Sequence, residues 1–317
     1  MEDFFFELFR TKIVFLREDF FIFGPFEKSV EYLIVLVFAG YKTFNFKQKT
    51  MSKVVLITGG SSGIGKSIGE FLHHKGFIVY GTSRNPERVL NSVFPLVSLD
   101  VRDTDSIHAA VAKVIAISGK LDVVINNAGV GITGPLEEIP MHEIKNNFET
   151  NFFGPIEVMK AVLPQMRKQQ SGLIINVTSI AGYMGLPYRS IYSASKGALA
   201  IITEALRMEV KSFGVHITNV APGDFATNIA SGRFHAPLIK GSAYEIPYGN
   251  NLKTIDEHVD SGSNPNEMAE AVYKIIQTPE PQVNYKVGAF MQKFSIVLKR
   301  VLPDKMYEKM LMNHYNL

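Results

Sequence analysis

From residue 51 onward the sequence predicts an α/β fold built on a doubly wound parallel sheet, and three observations carry that expectation. Short apolar runs alternate with amphipathic helical stretches, the pattern of a parallel sheet covered by helices on both faces. The runs are continuous, as in Val123-Val124-Ile125, which suits strands buried on both sides. No linker-like or low-complexity stretch divides 51–317, so a single domain is expected there.

The elements follow in order. Strands are expected over 53–58, 77–82, 95–99, 122–126, 172–178, 215–220 and 284–288, and helices over 63–75, 104–118, 141–169, 191–213 and 265–277. Asn264-Pro265 opens the last of these helices. The stretch 224–255 follows Pro222-Gly223 and is expected to cover the site as a lid. It carries Phe225, Ile229, Phe234, Tyr244 and Tyr248, which suit either an apolar substrate or packing of the lid itself. Over 288–302, Phe290, Met291, Phe294, Val297, Leu298, Val301 and Leu302 recur at helical spacing. Pro303 interrupts the pattern, and Met306, Tyr307, Met310 and Leu311 resume it. Residues 288–317 are therefore expected as a helical extension over the substrate site. Lys293, Lys299, Arg300, Lys305 and Lys309 make this end basic, so contact with a membrane surface is an alternative use.

The composition excludes several chemistries. The chain of 317 residues has no cysteine, which removes disulfides, thiol catalysis and thiolate metal sites. A net charge of +3 without a basic stripe gives no ground for nucleic-acid binding. The 8 histidines show no metal-ligand spacing, and no metal site is expected.

Residues 1–50 differ from the rest. They hold 12 of the 23 phenylalanines, with 7 basic and 7 acidic residues. Their longest apolar run, Tyr32 to Tyr41, is about half of what a membrane-spanning helix needs. Met51-Ser52-Lys53 leads straight into the first strand, so Met51 is expected as the natural start and 1–50 as an upstream extension. A membrane-associating appendage and a separate folded subdomain are the alternatives. The expected location is cytoplasmic, or membrane-associated if 1–50 or the C-terminal extension acts as an anchor.

The chemistry begins at the end of the first strand. Thr58-Gly59-Gly60-Ser61-Ser62-Gly63-Ile64-Gly65 lies between a strand and a helix. Glycines there let the backbone turn tightly and approach a pyrophosphate, and the helix N-terminus favours its negative charge. About twenty residues on, the second strand ends at Gly81-Thr82-Ser83-Arg84, with no carboxylate before Glu87 to hold a ribose diol. Arg84 offers a donor fork suited to a 2′-phosphate, which favours NADP(H) over NAD(H), the alternative. Tyr192 and Lys196 stand four apart on a helix, so phenol and ammonium share a face. An ammonium beside a phenol favours the phenolate, and such a tyrosine can exchange a proton with a carbonyl/alcohol pair. Ser179 lies thirteen residues earlier, at the end of an apolar run.

Taken together, these motifs resemble the short-chain dehydrogenase/reductase family over essentially all of 51–317, with a Rossmann-type sheet. Asn126-Asn127-Ala128-Gly129 matches the family's segment beside the cofactor, with Asn127, Ala128 and Gly129 as contacts. Asp100-Val101 resembles the pair on the adenine ring, and Pro222-Gly223 with Thr227 the segment on the nicotinamide amide. Gly59, Ser61, Ser62, Gly63, Ile64, Gly65, Ser83 and Arg84 complete the implied cofactor set, with Tyr192 and Lys196. The implied catalytic residues are Asn151, Ser179, Tyr192 and Lys196. Ser179 and Tyr192 would hold the substrate oxygen, Lys196 the nicotinamide ribose, and Asn151 a water. Gly154-Pro155, Leu163-Pro164-Gln165-Met166-Arg167 and Pro222-Gly223-Asp224-Phe225 look like the 17β-hydroxysteroid and retinol dehydrogenase-like branch. The expected activity is carbonyl/alcohol interconversion on a lipophilic small molecule. A 3-oxoacyl-carrier-protein reductase is the alternative enzyme, and a non-catalytic NADP(H)-binding scaffold the alternative of another class. Helices 141–169 and 191–213 would form the interface of a homodimer or homotetramer.

Overall fold

The structure, a computed structural model, describes residues 52–225, 232–260 and 262–317, without the side chains of 253–260. The expectations for residues 1–50, for Met51 as a start, and for Thr227 and Ile229 lie outside these residues. In chain order the elements are β1 (Val54–Ile57), α1 (Gly63–His74), β2 (Ile78–Ser83), β3 (Leu96–Ser98), α2 (Thr104–Ser118) and β4 (Val123–Asn126). Then come β5 (Ile132–Thr133), α3 (Met141–Phe148), α4 (Gly154–Gln169), β6 (Gly172–Val177), α5 (Ser190–Glu209) and β7 (Val215–Pro222). The chain ends with β8 (Phe234–His235), α6 (Glu245–Asp260), α7 (Pro265–Gln277), β9 (Asn284–Val287), α8 (Phe290–Val301) and α9 (Asp304–His314).

The seven expected strands form one sheet in the order β3-β2-β1-β4-β6-β7-β9. Every neighbouring pair in it is parallel. The chain winds outward from β1 to β3, then returns to β4 on the other side. At that reversal the loops after β1 and β4 diverge and leave a crevice beyond the carboxyl ends of the strands.

Both faces of the sheet are buried, and β1 shows how. Val54 and Leu56 pack with Ile107 and Val111 of α2 and Val158 and Val162 of α4. Val55 and Ile57 pack with Ile68 and Leu72 of α1 and Met268 and Val272 of α7. Successive Cβ atoms of a strand point to opposite faces, so two covered faces demand an unbroken apolar run. Each fully buried side chain of this kind contributes about 1.5–3 kcal/mol.

Polar residues cross the sheet one layer nearer the crevice. Asn126, Asn176, Asn219 and Asn284 are in register across β4, β6, β7 and β9. Asn126 donates to Asn176 Oδ1 at 2.8 Å, Asn176 to Thr203 Oγ1 at 2.8 Å, and Asn219 to Asn284 Oδ1 at 3.1 Å. These bonds offset part of the cost of burying Asn126, Asn176 and Asn219, while the amide oxygens of Asn126 and Asn219 have no hydrogen-bond partner.

The structure departs from expectation in two places. The helix expected over 141–169 is interrupted by a π-helical turn, Glu149–Phe153, between α3 and α4. Within 224–255, expected as a lid and with no helix assigned to it, α6 forms from Glu245. Pro247 falls in its first turn, where a missing N–H costs nothing. The fully buried Tyr248 then fixes the helix by donating to the carbonyls of Thr133 and Ala236 at 3.1 and 3.2 Å. The aromatic residues of this stretch therefore divide. Phe234, Tyr244 and Tyr248 pack around Ile132 and Ile139, and Phe225 joins the core between the sheet and α7, while Phe225 and Phe234 also border cavities described below.

The C-terminal extension is helical, as expected. Ile296 of α8 and Tyr307 of α9 pack against Ile180, Met184 and Ala221. That places the extension on the 3-10 turn Ile180–Tyr183, directly after Ser179.

Candidate active site

A cavity of about 750 Å³ occupies the crevice at the reversal of strand order. Its floor is the loop after β1. Gly59 has φ +65°, a left-handed turn, and a Cβ there would lie 3.1 Å from the Cα of Ala128. The threonine before it ties this loop to the one after β4: Thr58 Oγ1 accepts from the backbone N–H groups of Asn127 and Ala128, each at 3.0 Å. Asn127 answers by donating its side-chain amide to the carbonyls of Thr58 and Gly59 at 3.0 and 3.2 Å.

Of the residues expected at the cofactor, Gly59, Ser61, Ser62, Gly63, Ile64, Ser83, Arg84, Asp100, Val101, Asn127, Ala128, Gly129, Tyr192, Lys196 and Pro222 line this cavity. Two do not. Gly65 lies behind the loop, where a Cβ would meet Asn127 Nδ2 and the Gly59 carbonyl, so its place is one of close packing. Gly223 borders a second, smaller cavity.

The rim of the large cavity is charged. Arg102 holds Asp100 through two bonds, Nε to Oδ1 at 3.1 Å and Nη2 to Oδ2 at 2.8 Å. The guanidinium keeps the Asp100 carboxyl below its usual range, with Arg84 adding in the same direction from farther off. Arg84 itself is exposed at this rim.

The four residues expected to be catalytic converge from three elements. Asn151 sits in the π turn and is fully buried. Its amide reads the backbone of Val130 at both ends: Oδ1 accepts from the N–H at 2.8 Å and Nδ2 donates to the C=O at 2.9 Å. The wider turn aims one side chain out of an otherwise continuous helix, a recurrent device at functional sites. Lys196 of α5 is buried and donates to the Val177 carbonyl at 2.9 Å. Burial lowers its pKa to about 8. Asn151 and Lys196 meet across Gly129, where a Cβ would lie 3.2 Å from Asn151 Oδ1 and 3.3 Å from Lys196 Nζ. Tyr192, one turn before Lys196, borders both cavities. Ser179 borders the smaller one, of about 60 Å³, with its Oγ accepting from Ala181 N at 3.1 Å.

Sequence reasoning missed the surroundings of Tyr192. Arg189 and Arg233 also border the smaller cavity. The Arg189 guanidinium stands 5.6 Å from the centroid of the Tyr192 ring and lies near Tyr315, close to the end of the chain. Helical spacing could have shown Arg189, three residues before Tyr192, but no local signal marks Arg233 or Tyr315.

The family model for short chain dehydrogenases matches residues 53–237. This chain belongs to that family.

It is similar to the 3-ketodihydrosphingosine reductase of Bacteroides thetaiotaomicron, 41% identical over 257 residues that span 81% of this chain and 95% of the relative. Among solved structures it is similar to a short-chain dehydrogenase from Streptomyces avermitilis, with 31% identity, a TM-score of 0.71, and coverage of 82% of this chain and 97% of that one. A short-chain dehydrogenase from Burkholderia cenocepacia in complex with NADP shares the fold at 23% identity and a TM-score of 0.65, over 81% of this chain and 97% of that one. The protein is therefore an oxidoreductase of this family, acting with a nicotinamide cofactor on a small-molecule carbonyl/alcohol pair. The relative described first is named for a sphingoid ketone rather than for a steroid or retinoid.

The crevice fits that cofactor on its own terms. The N-terminus of α1 opens on it with no acidic residue in its first turn, and Ser62 makes no side-chain cap there. Its N–H groups are thus left for an anion. When bound, a nicotinamide cofactor supplies or accepts the hydride.

Proposed function

We propose that this protein is an NADPH-preferring reductase of a long-chain ketone, with a 3-keto sphingoid base as substrate. The observation that carries the reading is 41% identity, across 95% of its length, to a relative named for that activity. The retained Asn151, Ser179, Tyr192 and Lys196 support it, as does the apolar C-terminal extension next to Ser179.

In this reading Ser179 and Tyr192 hold the ketone oxygen in the smaller cavity, and Tyr192 delivers the proton as hydride reaches the carbonyl carbon. The ketone is reduced to an alcohol and the dinucleotide is oxidised. Lys196 holds the nicotinamide ribose and, as an ammonium, stabilises negative charge on the Tyr192 oxygen. Asn151 holds Val130 and with it the loop at Gly129 beside Lys196, and in this reading it would anchor a water leading to solvent. Arg84 takes the 2′-phosphate of NADPH.

Two further features belong to the same reading. Among the described residues, no helix is long and apolar enough to cross a membrane. On α8, however, Phe290, Phe294, Val297 and Val301 form an exposed stripe, the first two rings stacked at 5.7 Å. Lys293 and Arg300 on the same helix complement anionic headgroups, so α8 is suited to rest on the bilayer that holds a lipid substrate. The exposed Phe153, Ile201 and Met208 support self-association through the faces expected from the sequence.

The deciding experiment is a substrate panel with NADPH and with NADH: a 3-keto sphingoid base, steroids, retinoids, a 3-oxoacyl thioester and small aldehydes. The sphingoid ketone is expected to give the highest kcat/KM. A 3-oxoacyl thioester or a steroid turned over faster would refute the assignment.

A further inference from the structure

Three charged side chains border the smaller cavity outside the cofactor site and the proton path, Arg189, Arg233 and Asp224, and one of them is a carboxylate. Asp224, two residues after Pro222, borders it together with Ser179 and Tyr192. Its carboxylate is held in place. Gln292 of α8 donates Nε2 to Asp224 Oδ2 at 2.7 Å and accepts the Asp224 backbone N–H on Oε1 at 3.2 Å. A fork of this kind fixes both the segment and the direction of the side chain. Gly223 makes room for it, since a Cβ there would collide with the Gln292 amide.

Among the described residues, no lysine, arginine or histidine forms an ion pair with Asp224. Of the two guanidiniums on the same cavity, Arg189 stands over the Tyr192 ring and lies, like Asp224, near Tyr315, and Arg233 has a partner of its own. A half-buried carboxylate, oriented by a dedicated amide and left without a cation, is a receptor for one. Ser179, Tyr192 and Asp224 border the same cavity, of about 60 Å³. A substrate whose oxygen bonds Ser179 and Tyr192 there would bring the substituents next to its carbonyl toward Asp224.

We propose that Asp224, positioned by Gln292, binds a protonated amine on the carbon next to the substrate carbonyl, so that the enzyme selects 2-amino ketones over plain ketones. This inference rests on the ketone-reductase reading above and adds to it the group that recognises the substrate's polar end. It also gives the C-terminal extension a second part in specificity. Besides an apolar wall, α8 supplies the amide that aims the carboxylate.

The test compares a long-chain 2-amino-3-ketone with its des-amino and N-acetyl analogues, read as the ratio of their kcat/KM values. The wild type is expected to favour the free amine at neutral pH and to lose that preference as the amine deprotonates. Asp224→Asn is expected to lower the ratio by about ten- to a hundredfold, mainly through KM, as loss of a charge-assisted bond requires. Gln292→Met, which keeps volume but cannot hold the carboxylate, is expected to move the ratio in the same direction by a smaller factor. It also provides the reading should Asp224→Asn fold poorly. An unchanged ratio in either folded variant, or a wild type that turns over the des-amino ketone as well as the amine, overturns the role of Asp224 and leaves the reductase standing. A preference for an acidic analogue instead would assign the cavity to its arginines. Turnover of none of these ketones by the wild type overturns both readings.

Discussion

The ammonium of Lys196 reaches across from α5 to the carbonyl of Val177, the last residue of β6, at 2.9 Å. That one bond pins the helix bearing Tyr192 to the strand that leads into Ser179. It also buries a charge, and the consequence is measurable.

Burial lowers the Lys196 pKa from 10.5 to about 8. Between those values the unfolded chain holds the proton and the folded chain has released it, so stability rises with pH through that window. Below pH 8 both states are protonated and the cost of the buried charge is fully present. The full difference is about 3 kcal/mol, from 1.36 kcal/mol per unit. Denaturant unfolding of the cofactor-free protein between pH 7 and 10.5 is expected to show the wild type gaining on Lys196→Met as pH rises. Parallel curves for the two proteins would contradict a lowered lysine pKa.

Tyr192→Phe removes a transferable proton and almost no volume. Turnover is expected to fall by at least about a thousandfold, near the upper part of what a positioned acid–base group supplies. NADPH binding, followed by its fluorescence, is expected to stay within about threefold of wild type, a change of under 1 kcal/mol. Near-normal turnover in this variant would remove Tyr192 from the proton path.

Arg84 is exposed on the rim of the cofactor cavity, beyond the Asp100–Arg102 pair. Arg84→Ala is expected to raise KM for NADPH about tenfold or more while changing KM for NADH far less, because only the former carries the 2′-phosphate. Equal effects on both cofactors would count against NADP preference.

The asparagine row predicts a stability effect without direct contact with any ligand. Asn176→Ala leaves the amide of Asn126 and the hydroxyl of Thr203 short of their shared partner. A loss of about 2–4 kcal/mol is expected in chemical denaturation, from unpaired buried polar groups and the small cavity together. Leu56→Ala, in the apolar layer beside it, is expected to cost about 2–5 kcal/mol for the cavity and lost transfer energy.

The stripe on α8 gives a separate test. Phe290→Glu with Phe294→Glu is expected to reduce binding to anionic vesicles at least tenfold, measured by flotation, and to leave the melting temperature within a few degrees, since both rings are exposed. Unaltered vesicle binding would dissociate α8 from any membrane contact.

The sequence by itself determined the sheet, the helices that alternate with it, and the composition of the cofactor crevice. Those features are written in short-range patterns. Unbroken apolar runs mark strands with two covered faces, and a glycine loop between strand and helix marks an anion site. Asn151, Ser179, Tyr192 and Lys196 were named from the resemblance of their motifs to a family, and the fold brings them to one end of the sheet. Only tertiary structure decided the rest. The π turn around Asn151 arises because its amide is drawn to both ends of the Val130 peptide, a bond between residues twenty-one apart. Helix α6 is held in place because Tyr248 finds two carbonyls more than ten residues away in sequence. The Asp224–Gln292 fork spans 68 residues. None of these has a local signature, since each polar group is satisfied by a partner that only the folded chain brings near. Tyr192 and Lys196 could therefore be read from sequence as a phenol and an ammonium on one helix face, the pair we propose for proton transfer, but the groups that border the cavity beside them could not.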